Sequence, residues 1–119
     1  MGHVRVPVRI INPFDENQLV DIPNALIDTG ATRTLIPRMV AEQIGLQLAG
    51  DREVRTAEGV QRLQRAAAIV ELQGEETFGD VWISDTFPGV LIGVVTLESL
   101  GLAVDPTNQR LVKTEFLLL

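Results

Sequence analysis

The chain has 119 residues, a length that fits one domain able to bury its own core. Hydrophobic residues make up 45% and charged residues 22%, a globular composition that excludes a disordered or collagenous chain. The net charge of -6 opposes binding to nucleic acids and anionic membranes, both of which favour cationic surfaces.

The N-terminal third alternates as β-strands do. In "HVRVPVRII" the aliphatic side chains of one parity would lie on one face of a strand: Val4, Val6, Val8 and Ile10. Pro7 favours an edge position, since proline cannot donate to a sheet. "NPFDENQ" indicates a turn, and "LVDIPNALID" predicts a second strand.

The period then changes to a helical one in "TLIPRMVAEQIGL". Pro37 suits the first turn of this predicted helix, and Gly45 supplies its end. Three apolar side chains can share its buried face: Met39, Val40 and Ile44.

A hairpin is predicted from Arg52 to Leu72. Its arms, "REVRT" and "VQRLQRAAAIVEL", are joined by Ala57, Glu58 and Gly59, and glycine permits the positive φ of a tight turn. Beyond it, Glu75 and Glu76 are interpreted as a second, polar hairpin tip.

The remaining elements are short. "TFGDVWISD" predicts a strand with Phe78 and Trp82 on one parity, and "GVLIGV" predicts a buried aliphatic strand. "TLESLGL" predicts a brief helix capped by Thr96 and ended by Gly101. "AVDPTNQRLVK" closes with a hairpin whose turn lies at residues 105–108. We therefore expect one mainly β domain over residues 1–119 with two short helices.

Asp28 is the best candidate for chemistry, because aliphatic residues on both sides hold its loop against the core. A carboxylate there is costly unless it is hydrogen bonded, paired or used. Thr29 offers a hydroxyl, and Gly30 lets the backbone turn sharply. A purely structural interpretation, in which Asp28 and Thr29 only form a side-chain-capped turn, stays open at this point.

The string "ALIDTGATRTLIP" resembles the active-site loop of retropepsin-like aspartic proteases. The order of the later pieces matches as well, with a glycine-tipped hairpin, then "VLIG", then a short helix and the terminal "LAVDPTNQRLV". The resemblance spans residues 18–112 and is greatest to the small bacterial and archaeal single-domain members. It implies the acid-protease barrel with a flap hairpin over the substrate.

The resemblance also implies the chemistry. Asp28 would be the catalytic acid and base, with Thr29, Gly30 and Ala31 supporting its loop and the flap residues Ala57, Glu58 and Gly59 covering a peptide or protein substrate. Two carboxylates are needed for this route, yet Asp-Thr-Gly occurs once, so a homodimer would supply the second Asp28. "SDTFPG" repeats Asp-Thr without the glycine, and we interpret it as a loop.

Two features depart from the viral members of that family. Their charged pair beside the active-site loops is replaced here by Thr32 and Val94. Arg33 is interpreted as solvent-facing, although it could instead find another carboxylate. Aliphatic subsite walls are expected from four residues: Leu26, Val60, Val90 and Leu91.

No metal or organic cofactor is expected. The chain lacks cysteine, and its single histidine, His3, cannot form a metal cluster and lies too near a terminus for a catalytic base. Asp15, Glu16 and Asp21 lack metal-ligand spacing and are interpreted as a solvated loop.

The sequence is consistent with more than one function. The leading hypothesis is an aspartic endopeptidase, and the alternative is a non-catalytic dimerisation or peptide-binding module with the same fold. The start of the sequence lacks the apolar core of a signal peptide, and the closing "EFLLL" is too short to span a bilayer. "RLVKTEFLLL" is apolar enough to join a dimer interface. We expect a cytoplasmic protein.

Overall fold

The computed structural model describes residues 4–57 and 59–114. The predictions for His3, Glu58 and the closing "EFLLL" concern positions outside these ranges. The secondary structure, in chain order, is β1 (Val4–Ile11), β2 (Leu19–Ile27), β3 (Leu35–Pro37), α1 (Arg38–Gln43), β4 (Ala49–Thr56), β5 (Gly59–Leu72), β6 (Glu75–Ser84), β7 (Leu91–Ile92), α2 (Val94–Leu100), β8 (Leu102–Asp105) and β9 (Arg110–Lys113). The prediction of a mainly β chain with two short helices is confirmed.

Seven strands form one sheet in the order β1-β2-β7-β3-β6-β5-β4, and β8 and β9 form a separate hairpin. An additional antiparallel pairing joins β1 to β5. The pairings among β1, β2, β7, β3, β6 and β5 therefore run round a closed circuit, while β4 is the terminal strand. Most neighbours are antiparallel, but β2 pairs with β7 and β3 pairs with β6 in parallel.

The predicted alternation in β1 is confirmed. Val6, Val8 and Ile10 are buried, whereas Arg5 is exposed. Within β1, only the residues from Arg9 onward pair with β5. The register between β1 and β2 shifts at Pro7. The proline thus lies at a free edge beside an irregularity, where its missing N–H costs little.

The first helix is shorter than the sequence suggested. Residues 35–37 form β3 instead of a first helical turn, and Pro37 precedes the helix in an extended conformation. Met39 is 76% exposed, so its predicted place on the buried face is wrong, while Ile44 is buried. A short apolar run does not distinguish a strand from a helix, and the neighbouring strands β6 and β7 provide the partners that decide it. Gly45 ends the helix with a φ of 67°.

The second helix also begins earlier than predicted. Val94 opens it after Gly93, and Thr96 is a buried residue inside the helix, not its cap. The end at Gly101, in the left-handed conformation, is as predicted.

The long hairpin agrees with its prediction more closely than the helices do. β4 and β5 form the long predicted hairpin, with Gly59 at a φ of 110°. The β5–β6 turn is made by Gln73 and Gly74, so Glu75 and Glu76 belong to the strand and not to the tip. Within residues 4–57 and 59–114, no helix has the length and apolarity needed to cross a membrane.

The core is built from Val, Ile, Leu and Ala side chains of the main sheet, both helices and the β8–β9 hairpin, which contributes Leu102 and Leu111. Trp82 is 8% exposed, whereas Phe78, on the same parity, is 64% exposed. Ile27 and Ile92, the last residues of β2 and β7, are buried. The loops that follow these two strands therefore begin at residues held in the packed core.

Candidate active site

Asp28 follows the last residue of β2, where the strand leaves the sheet. Its backbone N–H donates to the carbonyl of Ile92 at 3.0 Å, and the N–H of Leu26 donates to Val90 at 2.9 Å. These bonds continue the parallel pairing of β2 with β7. The half-buried side chain of Asp28 is thus presented from a backbone that the neighbouring strand holds.

The loop turns immediately after this acid. The N–H of Gly30 donates to Asp28 Oδ1 at 2.9 Å, and the N–H of Ala31 donates to the carbonyl of Asp28 at 3.1 Å. The capped turn that the structural interpretation required is therefore present. It uses only one carboxylate oxygen, since no hydrogen bond involves Oδ2 within residues 4–57 and 59–114. Thr29 and Gly30 are exposed.

A second loop, at Gly93, lies beneath the Asp28 loop and is bonded to it. The N–H groups of Val94 and Val95 donate to the carbonyls of Ala31 and Thr32, at 2.8 and 3.2 Å. Thr32 and Val94 therefore belong to a backbone connection between the two loops.

Buried threonine side chains complete this connection. Thr34 Oγ1 accepts the N–H of Gly93 at 3.1 Å and lies 2.6 Å from Thr96 Oγ1. Thr34 is 1% exposed, so each of these polar groups is satisfied inside the core. Neither threonine was assigned this role from the sequence. A hydroxyl residue between Arg33 and Leu35 gives no local sign of the contact, which joins positions 62 residues apart.

Gly93 has no space for a side chain. A Cβ at this position would lie 2.5 Å from the carbonyl oxygen of Arg33 and 2.8 Å from its backbone nitrogen. The close approach of the two loops thus requires glycine here. The glycine in "VLIG" is therefore needed for the packing of the two loops.

An open cleft of about 630 Å³ lies between the Asp28 loop and the β4 side of the long hairpin. Asp28, Gly30 and Ala31 line one side, and Thr56 and Ala57 line the other. Its apolar wall comes from four residues: Leu35, Val54, Leu63 and Trp82. A carboxylate, backbone groups and an apolar wall therefore face one space beneath a hairpin, as binding of an extended peptide would require.

Most of the predicted site residues meet in or beside this cleft. Asp28, Gly30, Ala31 and Ala57 line it, while Thr29 faces an adjoining groove and Gly59 shapes the hairpin tip. Glu58 lies outside the described residues.

Three of the four predicted subsite walls are wrong, because Leu26, Val90 and Leu91 are buried. Val60 is 55% exposed beside the hairpin tip, and its place in a subsite stays a prediction. The sequence showed that these residues were aliphatic but not which way each strand faced.

Two ion pairs involve charged residues that the sequence analysis considered. Arg33 lines the cleft, and its Nη1 lies 3.6 Å from Asp80 Oδ1, so it is not simply solvent-facing. Asp21 pairs with Arg9 at 2.8 Å, which lowers the pKa of the carboxyl through the hydrogen bond from Arg9. Within the described ranges, no group of three or more His, Cys, Asp and Glu side chains is arranged to hold a metal ion.

Solved structures similar to this chain include retroviral and retropepsin-like proteases. EIAV protease, solved with an inhibitor, is 15% identical with a TM-score of 0.65, over 98% of this chain and 94% of that one. The retroviral protease-like domain of Ddi1 from Leishmania major is 21% identical with a TM-score of 0.63, over 95% and 85%. A retropepsin-like aspartic protease from Rickettsia conorii is 22% identical with a TM-score of 0.62, over 87% and 85%. The fold is therefore that of the retropepsin-like proteases.

The family is established by sequence. Residues 22–99 match the family model of the gag-polyprotein putative aspartyl proteases. The chain belongs to that family. No curated protein matches it significantly.

Proposed function

We propose that the protein is an aspartic endopeptidase that acts as a homodimer and hydrolyses peptide bonds between two copies of Asp28. The observation that carries the proposal is the placement of Asp28. Its carboxylate lines an open cleft beneath a hairpin, on a loop bonded to β7 and to the Gly93 loop, with Oδ2 unused by the hydrogen bonds described above.

The mechanism requires two acids in different protonation states. One ionised carboxylate takes a proton from the attacking water, and one protonated carboxyl donates a hydrogen bond to the scissile carbonyl. Neighbouring carboxylates share a proton because two like charges in contact cannot both ionise cheaply, and aspartic proteases are the standard example. The pair titrates as a unit. Water is the nucleophile, so the route uses no metal or organic cofactor.

A twofold axis beside the Asp28 loop would bring the two acids together. Thr29 is exposed on this side and borders a groove of about 410 Å³ with a mostly apolar lining, which includes Val94, Leu97, Leu102 and Val104. The apolar groove next to the loop supports the proposal that a second copy of the chain binds there. In a twofold dimer each contact of this surface would occur twice. Thr29 would then hydrogen bond across the axis and fix the two loops.

The substrate would be an extended peptide held between the loops and the hairpin tips. Backbone groups of Gly30 and of the hairpin residues Ala57, Glu58 and Gly59 would bond to the peptide backbone, and the apolar wall would receive side chains. Trp82 and Leu35 of that wall favour apolar side chains in the substrate. The proposal includes a cytoplasmic location, where a chain without cysteine folds without an oxidising environment.

The direct test is Asp28→Asn, assayed against a library of unfolded or apolar peptides at mildly acidic pH. The amide keeps the shape of the side chain but cannot exchange the proton, so cleavage should fall by at least about a thousandfold. Asp15→Asn is the matched control. Asp15 also caps a turn, accepting the N–H of Asn17 at 3.2 Å, but it lies outside the cleft lining.

Sedimentation of both variants separates catalysis from assembly. Asp28→Asn should remain folded and dimeric, and Asp15→Asn should cleave as the wild type does. An Asp28→Asn variant that cleaves normally would rule out the proposed catalyst. Wild-type protein that binds peptides as a dimer without cleaving any would favour the non-catalytic module.

A dilution series tests the shared site independently. Activity per mole should fall as the dimer dissociates, and it should do so over the concentration range in which sedimentation detects monomer. Constant activity per mole in a demonstrably monomeric range would exclude a site made from two subunits.

A further inference from the structure

Arg33 and Arg55 are cleft residues whose charges the proposed chemistry does not use, and Arg33 is the one that contacts the apolar wall through Asp80. Its guanidinium shares the carboxylate of Asp80 with Trp82, because Asp80 Oδ1 faces Arg33 at 3.6 Å and Asp80 Oδ2 accepts the indole N–H of Trp82 at 3.2 Å. Trp82 belongs to the apolar wall of the cleft. Arg33 therefore stands beside that wall, and its side chain is 48% exposed.

The pairing with Asp80 leaves most of the guanidinium available. The 3.6 Å between Arg33 Nη1 and Asp80 Oδ1 exceeds the 2.7 to 2.9 Å that is usual for a charge-assisted hydrogen bond. No hydrogen bond of Arg33 occurs within the described residues, although an arginine has five N–H donors. By contrast, Arg38 donates to Asp85 through two nitrogens, at 2.7 and 2.9 Å. Arg33 is loosely held and Arg38 is fully engaged.

The cleft lining also has the opposite charge balance to the whole protein. The chain carries sixteen acidic residues and ten Lys plus Arg, but among residues 4–57 and 59–114 the charged residues of the cleft lining are Arg33, Arg55 and Asp28. Nearby, Arg65 lies over the Trp82 ring at 5.7 Å from its centroid. Basic side chains thus outnumber acidic ones in the described lining, although Asp80, outside it, offsets part of the Arg33 charge. An excess of positive charge in a cleft attracts anionic ligands.

We propose that Arg33 selects substrates with an acidic side chain close to the scissile bond. A glutamate or aspartate of the bound peptide would lie beside the apolar wall and accept two parallel hydrogen bonds from the guanidinium, displacing the loose contact with Asp80. Arginine suits this role because its planar guanidinium can donate two parallel hydrogen bonds to one carboxylate. The ammonium group of lysine cannot match that geometry. This inference rests on the proposed function, since it names the substrate class of the same cleft.

The test measures binding first, so that it does not depend on catalysis. Asp28→Asn protein is titrated by fluorescence anisotropy with peptide pairs that differ only by Glu or Gln at one position, scanned along a fixed apolar peptide. At one or two positions Glu should bind about tenfold more tightly than Gln, as one charge-assisted bidentate contact allows. The preference should weaken as salt is raised, because the contact is partly exposed.

Arg33 is then changed in the same background. Arg33→Gln should reduce the Glu-to-Gln ratio to near one, Arg33→Lys should restore part of it, and Arg33→Glu should invert the preference towards Lys in the peptide. Arg62→Gln is the matched control, because Arg62 is also exposed and loosely paired, at 3.9 Å from Asp51, but does not line the cleft. It should keep the wild-type ratio. Thermal midpoints confirm that each variant is folded.

Each outcome decides the inference. An equal affinity for Glu and Gln peptides at every position, a preference that survives in Arg33→Gln, or no peptide binding at all would overturn it. The proposed protease is judged separately by cleavage with wild-type protein. Cleavage that depends on Asp28 but ignores acidic residues would leave the enzyme in place and remove the acidic specificity.

Discussion

The loops after β2 and β7 have similar local sequences but different positions in the structure. Each follows an aliphatic strand end, and the two strand ends lie side by side in parallel, with Leu26 opposite Leu91 and Ile27 opposite Ile92. The first loop carries the acid and is largely exposed, whereas the second is buried at Gly93, which supports the first from below. Similar sequence patterns thus give one loop that can meet a substrate and one that cannot.

The largest effect should come from filling the space at Gly93. In Gly93→Ala the added methyl would meet backbone atoms of Arg33 at 2.5 to 2.8 Å, and backbone cannot rotate away as a side chain can. The free energy of unfolding should fall by about 3 kcal/mol, measured by urea denaturation.

Gly30→Ala is the counterpart in the exposed loop. Its methyl would lie 3.2 Å from Asp28 Oδ1, a movable atom, so the loss of stability should stay below about 1 kcal/mol. Equal losses for the two variants would mean that the loops do not divide their roles as described.

Thr34→Val should have an intermediate effect, since it keeps the shape of the side chain and removes the hydroxyl. The N–H of Gly93 would lose its acceptor and Thr96 would lose its partner, which should cost about 1 to 3 kcal/mol in denaturant unfolding. Thr77→Val is the control, because that strand residue makes no side-chain hydrogen bond within the described ranges.

The double variant Thr34→Val/Thr96→Val sharpens this test. Because the two hydroxyls are partners, its loss should be smaller than the sum of the single losses. Strict additivity would contradict a direct bond between them.

The smallest effect concerns Asp85, the acid of the second Asp-Thr sequence. The hydrogen bond from Arg38 lowers the pKa of the Asp85 carboxyl below its usual 3.8. A lowered pKa in the folded state means that the pair stabilises the fold at neutral pH and loses this effect as the pH falls below 3.8 through the lowered value.

Asp85→Asn should therefore lower the thermal midpoint slightly at pH 7 and make stability less sensitive to acid in that range. Unchanged acid sensitivity would show that Asp85 contributes nothing through its charge. The result would separate this acid, which serves the fold, from Asp28.

Local patterns in the sequence predicted much of this molecule. Alternation identified β1, glycines marked the hairpin tip at Gly59 and the helix end at Gly101, and Asp-Thr-Gly marked the candidate catalytic loop. These features depend on neighbours in the chain, so a short window of sequence contains their causes.

The features that were missed depend on distant partners. Leu35 becomes part of a strand because it pairs with Trp82 and Leu91, and Thr96 is a core residue because Thr34 bonds to it. The cleft walls were misassigned for the same reason, since strand orientation in the sheet decides which aliphatic side chains face Asp28. Arg33 acquires its place through Asp80, 47 positions away in the chain.

The terminal position of β4 has a consequence for solubility. Its outer edge offers unpaired backbone groups, and such an edge invites other chains to add strands and aggregate. Four of its eight residues carry charge, namely Asp51, Arg52, Glu53 and Arg55, in alternating acidic and basic order. An approaching copy in most registers would meet like charges or strip water from them, so the charges of this open edge discourage fibre growth.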